Sequence, residues 1–399
     1  MKYDFDRVIE RRHTHSSKWD LGEEIFKGKN LLPMWVADMD FATAPCVVDA
    51  LKKVAERGIF GYPYRPRSYK EAIKGWMERR HGWGIDTDWL TYSPGVVTAL
   101  NLCILSYTQP GDSVIIQPPV YYPFSRCIEN NGRRVENNPL RYENGRYVMD
   151  FDDLDKRASA RARMMILSSP HNPVGRVWTR EELEKVGEFC VKNDIVLVSD
   201  EIHSDLIYKG QRHVPTASIS GEISRQTVTC MAPSKTFNLA GLKTSSIIIS
   251  NPRLRRLYNT MLANLSLGMD NSFGMAALEA AYTGGDEWLD ELLVYLQANM
   301  EFTLKYFREK IPRIEALASE GTYLLWLDCR KLGLDPAALN DFMLKKAKVW
   351  LDEGPLFGPG GEGFQRINIG CPRSILEEGL GRIEKAVREN LNPIQGEDL

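Results

Sequence analysis

Residues 163–205 read RMMILSSPHNPVGRVWTREELEKVGEFCVKNDIVLVSDEIHSD, and this stretch decides the fold. Arg163–Ser168 is a short continuous apolar run, closed by the turn-forming SPHNPVG. Thr179 then offers an N-cap hydroxyl ahead of an acidic first turn, and apolar residues at helical spacing predict a helix over Thr179–Asn193. Asp194–Ser199 is a second apolar run, ending at Asp200-Glu201. Strands without polar alternation, set between helices, belong to a mostly parallel sheet covered on both faces.

Outward from this unit the pattern repeats. Ser113–Gln117, Thr227–Met231 and Ser245–Ser250 are further apolar runs, which predicts an α/β fold with a mostly parallel sheet sandwiched by helices. Ligands of such sheets sit beyond the carboxyl ends of the strands. The polar clusters SPHNPVG, Asp200-Glu201 and APSK all follow strand ends. From about Trp288 the character changes: a long helix stopped by Pro312, a strand over Thr322–Asp328, another helix and a strand over Gln365–Ile369. We therefore expect a smaller α/β unit there, without a flexible linker before it.

The 399 residues are 43% hydrophobic and 10% aromatic, with 51 basic and 53 acidic side chains and a formal charge of −2. No net basic field exists to attract nucleic acid or an anionic membrane, so a small molecule is the expected partner. No stretch reaches the roughly 20 apolar residues of a membrane span, and the polar N-terminus lacks a signal-peptide core, so a cytoplasmic location is expected. Seven cysteines are scattered singly, with no CxxC pair, as expected of buried thiols in a reducing compartment.

The chemistry is carried by Lys235, directly after a buried strand and a small-residue turn. Near a low-dielectric pocket its pKa falls and the amine becomes a nucleophile for a carbonyl. A lone lysine in a loop more commonly lies on the surface, so the reading rests on its companions. Asp200 could hold a pyridine nitrogen protonated; the cluster Asp200, Glu201, His203, Asp205 could instead imitate a metal site, but no second group with metal spacing accompanies it. Asn172 precedes Pro173, and its amide suits a phenolate oxygen, although Asn-Pro is also an ordinary turn. The small residues of SPGVVTAL open a helix whose free N–H groups suit a phosphate, alone a weak signal. Gly358–Gly363 formally fits GxGxxG, but a strand-like segment follows it, so no dinucleotide site is expected. Glu201 and Asp205 read as helix-start charges, and His13 and His15 as solvated.

SPGVVTAL, PPVYYPF, SSPHNPVG, SDEIHSDL and APSKTFNLAGLKTS, in this order, resemble the fold-type I pyridoxal-phosphate enzymes, the aspartate aminotransferase superfamily, over almost the whole chain. LPMWVADMDFATAP and FGPGGEGFQRINIGCPR resemble its MalY/PatB-type cystathionine β-lyase branch. The resemblance implies a seven-stranded-type sheet in a large cofactor-binding domain (46–287), a small C-terminal domain (288–399), and an arm that joins the small domain (1–45). It implies that Lys235 holds pyridoxal 5'-phosphate as a Schiff base and moves the Cα proton, that Asp200 pairs with the pyridine nitrogen, and that Asn172 bonds the phenolic oxygen. Tyr121, preferred over Tyr122 by motif position, would stack on the ring. Gly95, Val96 and Val97 would start the phosphate-binding helix, and Ser234 would add a hydroxyl. Tyr62 would reach the phosphate of a neighbouring subunit, implying a homodimer, and Arg366 would grip the α-carboxylate of an amino-acid substrate. Two positions depart from the aminotransferase pattern: His203 stands where a tyrosine is usual, and Lys243 where an arginine meets the phosphate. The expected activity is cleavage of cysteine S-conjugates such as cystathionine to a thiol, pyruvate and ammonia. An aminotransferase of the same fold, or a cofactor-binding regulator, are the competing expectations.

Overall fold

The computed structural model describes residues 2–26, 30–159 and 161–391. Its centre is a seven-stranded sheet in the order Leu90–Ser93, Ser245–Ile248, Thr227–Met231, Val196–Asp200, Ala162–Ser168, Ser113–Ile116, Arg134–Asn137. Every pairing is parallel except the two made by Ser245–Ile248, which runs antiparallel to both neighbours. The apolar run SSIIIS carries no direction in its composition, so this reversal is a finding of the structure.

The sheet buries both faces. One side packs Val114, Ile116, Met164, Ile166, Val198 and Val228 against helices Val96–Tyr107 and Pro252–Asn264. The other sets Ile115, Met165, Leu167 and Leu197 against helix Arg180–Lys192. That helix starts as expected. Thr179 accepts the backbone N–H of Glu182, and Glu182 reaches back to the N–H of Thr179.

The C-terminal third holds an antiparallel four-stranded sheet, Glu315–Ala316, Leu324–Asp328, Phe364–Asn368 and Asp352–Glu353, flanked by helices Asp286–Lys310 and Arg373–Asn390. The N-terminal residues Leu32–Pro33 pair in parallel with Val349–Trp350 beside it. One apolar core runs from Phe237, Leu278 and Trp288 through Leu324 to Ile383, so the long helix is continuous packing between the two sheets. Among the described residues no helix is long and apolar enough to cross a membrane.

Candidate active site

The register of the parallel strands brings the polar clusters together. Ser168 lies opposite Asp200, and Asp200 opposite Cys230, so three strands end level with one another. Beyond those ends a pocket is lined by Gly95, Val96, Val97, Tyr121, Ser168, Asn172, Asp200, Ile202, His203, Ser234, Lys235 and Lys243, together with Ala37 and Thr244. Ten of the twelve residues singled out in the sequence therefore meet in one cavity. Tyr122 does not line it; its ring packs on Phe357 and under Arg126.

Lys235 follows the strand Thr227–Met231 on a short helix, Pro233–Thr236. Its Nζ donates to Ala37 O at 2.7 Å. Lost hydration pulls the amine down to about 8; Asp38 and Asp200 oppose that shift, while Arg366 and Lys243 add to it. Asp200 is 6% exposed and forms no salt bridge among the described residues; its Oδ1 accepts from Ile202 N at 3.2 Å. Burial pushes its carboxyl up to about 7. A buried acid of this kind calls for a cationic partner.

Asn172 is buried, and its Oδ1 accepts from Arg366 Nη1 at 2.9 Å, which leaves its NH2 as the free donor. The peptide bond to Pro173 is cis, as are Pro118-Pro119 and Ser169-Pro170. His203 is buried, its Nδ1 lacks a partner among the described residues, and desolvation holds its pKa well below the ordinary value, so the ring is neutral. Gly95 caps helix Val96–Tyr107 at φ 118°, a backbone only glycine adopts freely, so the first N–H groups of a twelve-residue helix open at the pocket.

Two expected residues lie outside the cavity lining. Arg366, on strand Phe364–Asn368, reaches the site through Asn172; it also bonds Trp35 O at 2.8 Å and pairs with Asp352. Tyr62 is 89% exposed and lines a separate cleft with Ile59, Tyr64 and Met275.

Glu201 and Asp205 are corrected: no helix starts there, and both are buried acceptors. Glu201 takes bonds from His213, Ser199 and Thr216; Asp205 takes bonds from Trp76, His81 and Thr236, the residue after Lys235. A run of acids after a strand reads as a helix start, and only the long-range partners reveal the difference. Ala37 and Asp352 were missed as well. The first acts through a backbone carbonyl, which leaves no side-chain signal; the second is one of two adjacent acids on the two-residue strand Asp352–Glu353, too short to read as a strand in the sequence.

The residues present fit pyridoxal phosphate: a desolvated amine for its carbonyl, a buried carboxylate without a salt bridge among the described residues for its pyridine nitrogen, an amide donor for its phenolic oxygen, and a helix N-terminus with Ser234 and Lys243 for its phosphate. The family model "Aminotransferase class I and II" matches residues 29–383. The chain is 46% identical to cystathionine beta-lyase PatB of Bacillus subtilis (strain 168), covering 96% of this chain and 99% of that protein. Among solved structures, cystalysin from Treponema denticola, which contains pyridoxal 5'-phosphate, superposes with a TM-score of 0.94 at 40% identity, covering 98% of this chain and all of that one. The PLP-bound C-S lyase from Staphylococcus hominis gives a TM-score of 0.91 at 34% identity, covering 98% and 100%.

Proposed function

The chain belongs to the class I and II aminotransferase family, in the branch of the cystathionine β-lyases, and from that premise we propose that it is a pyridoxal-phosphate-dependent C–S β-lyase. The observation that carries this reading is the convergence of Lys235, Asp200, Asn172 and the Gly95 helix start on one pocket. When bound, pyridoxal phosphate supplies the electron sink for negative charge formed at the substrate Cα.

The chain's own residues do the rest. Asp200 would pair with the pyridine nitrogen and keep it protonated, and that contact would stabilise the ionised carboxylate against burial. The amine of Lys235, already easy to deprotonate, takes the Cα proton. Arg366 binds the α-carboxylate and so orients the Cα–H bond toward Lys235. Tyr121, which lines the pocket, would stack on the ring of the cofactor and exclude water from the breaking bonds. The Cβ–S bond then breaks and the sulfur leaves as thiolate, which takes up a proton. The remaining three carbons are released as 2-aminoacrylate, which water hydrolyses to pyruvate and ammonia.

The substrate is a cysteine S-conjugate of the cystathionine type. The molecule works as a homodimer, a reading supported by the exposed apolar segment Ile59, Phe60, Tyr62 and Tyr64. Its seven unpaired thiols fit the cytoplasm. The chain divides into an arm (1–45), a large unit (46–287) and a small unit (288–399), in keeping with its two main sheets.

The test is to incubate the purified holoenzyme with cystathionine and no 2-oxo acid. Stoichiometric pyruvate and thiol are expected. Turnover only when a 2-oxo acid is added would make the protein an aminotransferase instead.

A further inference from the structure

Arg366 is 2% exposed, and its donors are nearly all committed. Nη1 donates to Asn172 Oδ1 at 2.9 Å. Nη2 donates to Trp35 O at 2.8 Å and to Asp352 Oδ2. Nε is buried with no partner among the described residues. A guanidinium can grip a carboxylate through two forks, Nε with Nη2 or Nη1 with Nη2. Both forks use an Nη2 hydrogen, and both Nη2 hydrogens are taken. One of the two acceptors must let go before a carboxylate is held by two bonds. Trp35 O is a backbone atom, whereas Asp352 is a side chain.

Asp352 itself is 4% exposed, and Arg366 is its one salt-bridge partner among the described residues. The pair is held in register, since Asp352 and Arg366 face each other across neighbouring strands, and the ring of Phe357 lies 5.0 Å from the guanidinium. Two carboxylates on one buried guanidinium repel each other with little water to screen them.

We propose that Asp352 is a positioning residue that acts as a latch. Its carboxylate occupies Arg366 in place of the substrate's α-carboxylate and is displaced when substrate binds. This rests on the reading of Arg366 as the carboxylate anchor of the proposed lyase site. The latch keeps the buried guanidinium paired between turnovers, where an unpaired charge would be costly. It also discriminates between ligands. An amino acid engages the site through its amine as well as its carboxylate and offsets the displacement. A 2-oxo acid, held by its carboxylate alone, competes poorly for the site.

The test uses the holoenzyme and propionate, a carboxylate with no amine. Asp352→Asn keeps an oxygen acceptor for Nη2 and removes the charge. Calorimetry should show propionate binding about tenfold more tightly to the variant than to the wild type, and the KM for cystathionine should fall with it while kcat changes less. Equal or weaker propionate binding would overturn the latch, because a residue that merely holds Arg366 in place would lose affinity when altered. If circular dichroism shows that Asp352→Asn does not fold, Asp352→Ser replaces it with the same expectation. Arg366→Met should abolish propionate binding, and retained binding would also overturn the proposal. Tighter propionate binding in a protein that does not cleave cystathionine would support the latch and remove the lyase reading.

Discussion

Lys235 and Asp200 are buried against their electrostatic preference, in opposite senses. The amine titrates at about 8 against an ordinary 10.5, so between those values the unfolded chain holds a proton that the folded chain has lost. Stability therefore rises with pH across that window, and below it the full cost of burying the ammonium is felt. The carboxyl titrates at about 7 against 3.8, so its favourable contribution is complete below 3.8 and is lost as pH rises through 7. In protein stripped of cofactor, Lys235→Met should raise stability by about 2–3 kcal/mol at about pH 6, a gain that fades above about pH 10. Asp200→Asn should gain a similar amount at about pH 9 and nothing below about pH 4. Urea melts of both variants across pH check this, and a flat difference in either would remove burial as the cause. The sequence marked both residues because chemistry at a strand end leaves a signature in residue type. It could not mark Asp205 or Glu201, whose partners Trp76, His81 and His213 lie far along the chain or on another turn.

The helix Arg180–Lys192 was legible almost to the residue, because its start is written in local chemistry. Thr179→Ala removes one half of the capping box and should cost about 1 kcal/mol in denaturant melts. Glu182→Ala should cost more. Its carboxylate also receives Arg176 Nη2 at 2.8 Å, and Arg176 bonds Glu320 as well, so that change leaves a buried guanidinium half-paired. The segment Gly354–Gly363 was legible through the resemblance that FGPGGEGFQRINIGCPR carries, while its glycine spacing alone said only that no dinucleotide site is there. It is a close turn between Asp352–Glu353 and Phe364–Asn368, folded against Pro118 and Pro119, with Phe357 O accepting Val120 N at 2.9 Å. A Cβ on Gly354 would fall on the carbonyl oxygens of Gly361 and Phe364. Gly354→Ala should therefore destabilise by about 1–3 kcal/mol and raise KM more than it lowers kcat, since the turn joins the strands that carry Asp352 and Arg366. An unchanged KM would separate the turn from substrate binding. Nothing in the glycine spacing announces this, because the contact is backbone against backbone.

At the scale of the whole molecule, apolar surface remains where one chain has no use for it. Ile59 is 83% exposed, Phe60 61% and Tyr64 79%, beside Tyr62. The segment is not loose: Phe60 stacks on Phe273 at 5.8 Å, and Arg65 pairs with Asp270 and bonds Gly268 O. Met269, another exposed apolar side chain, stands between Gly268 and Asp270, the two residues that Arg65 ties to this segment. A patch of this kind marks an interface. A dimer formed through it would place Tyr62 of each chain toward the partner and add its hydroxyl to the phosphate site that the same chain builds from Ser234, Lys243 and the Gly95 helix start. Two variants then separate assembly from binding. Tyr62→Phe should leave the sedimentation of the dimer unchanged and weaken the cofactor about tenfold or more, the loss of one hydrogen bond to a charged group. Ile59→Asp combined with Phe60→Asp should yield monomers that lose the cofactor as well, although neither side chain lines the pocket. Monomers that hold pyridoxal phosphate as tightly as the wild type would show that each site is built from one chain, and the exposed tyrosine would need another use.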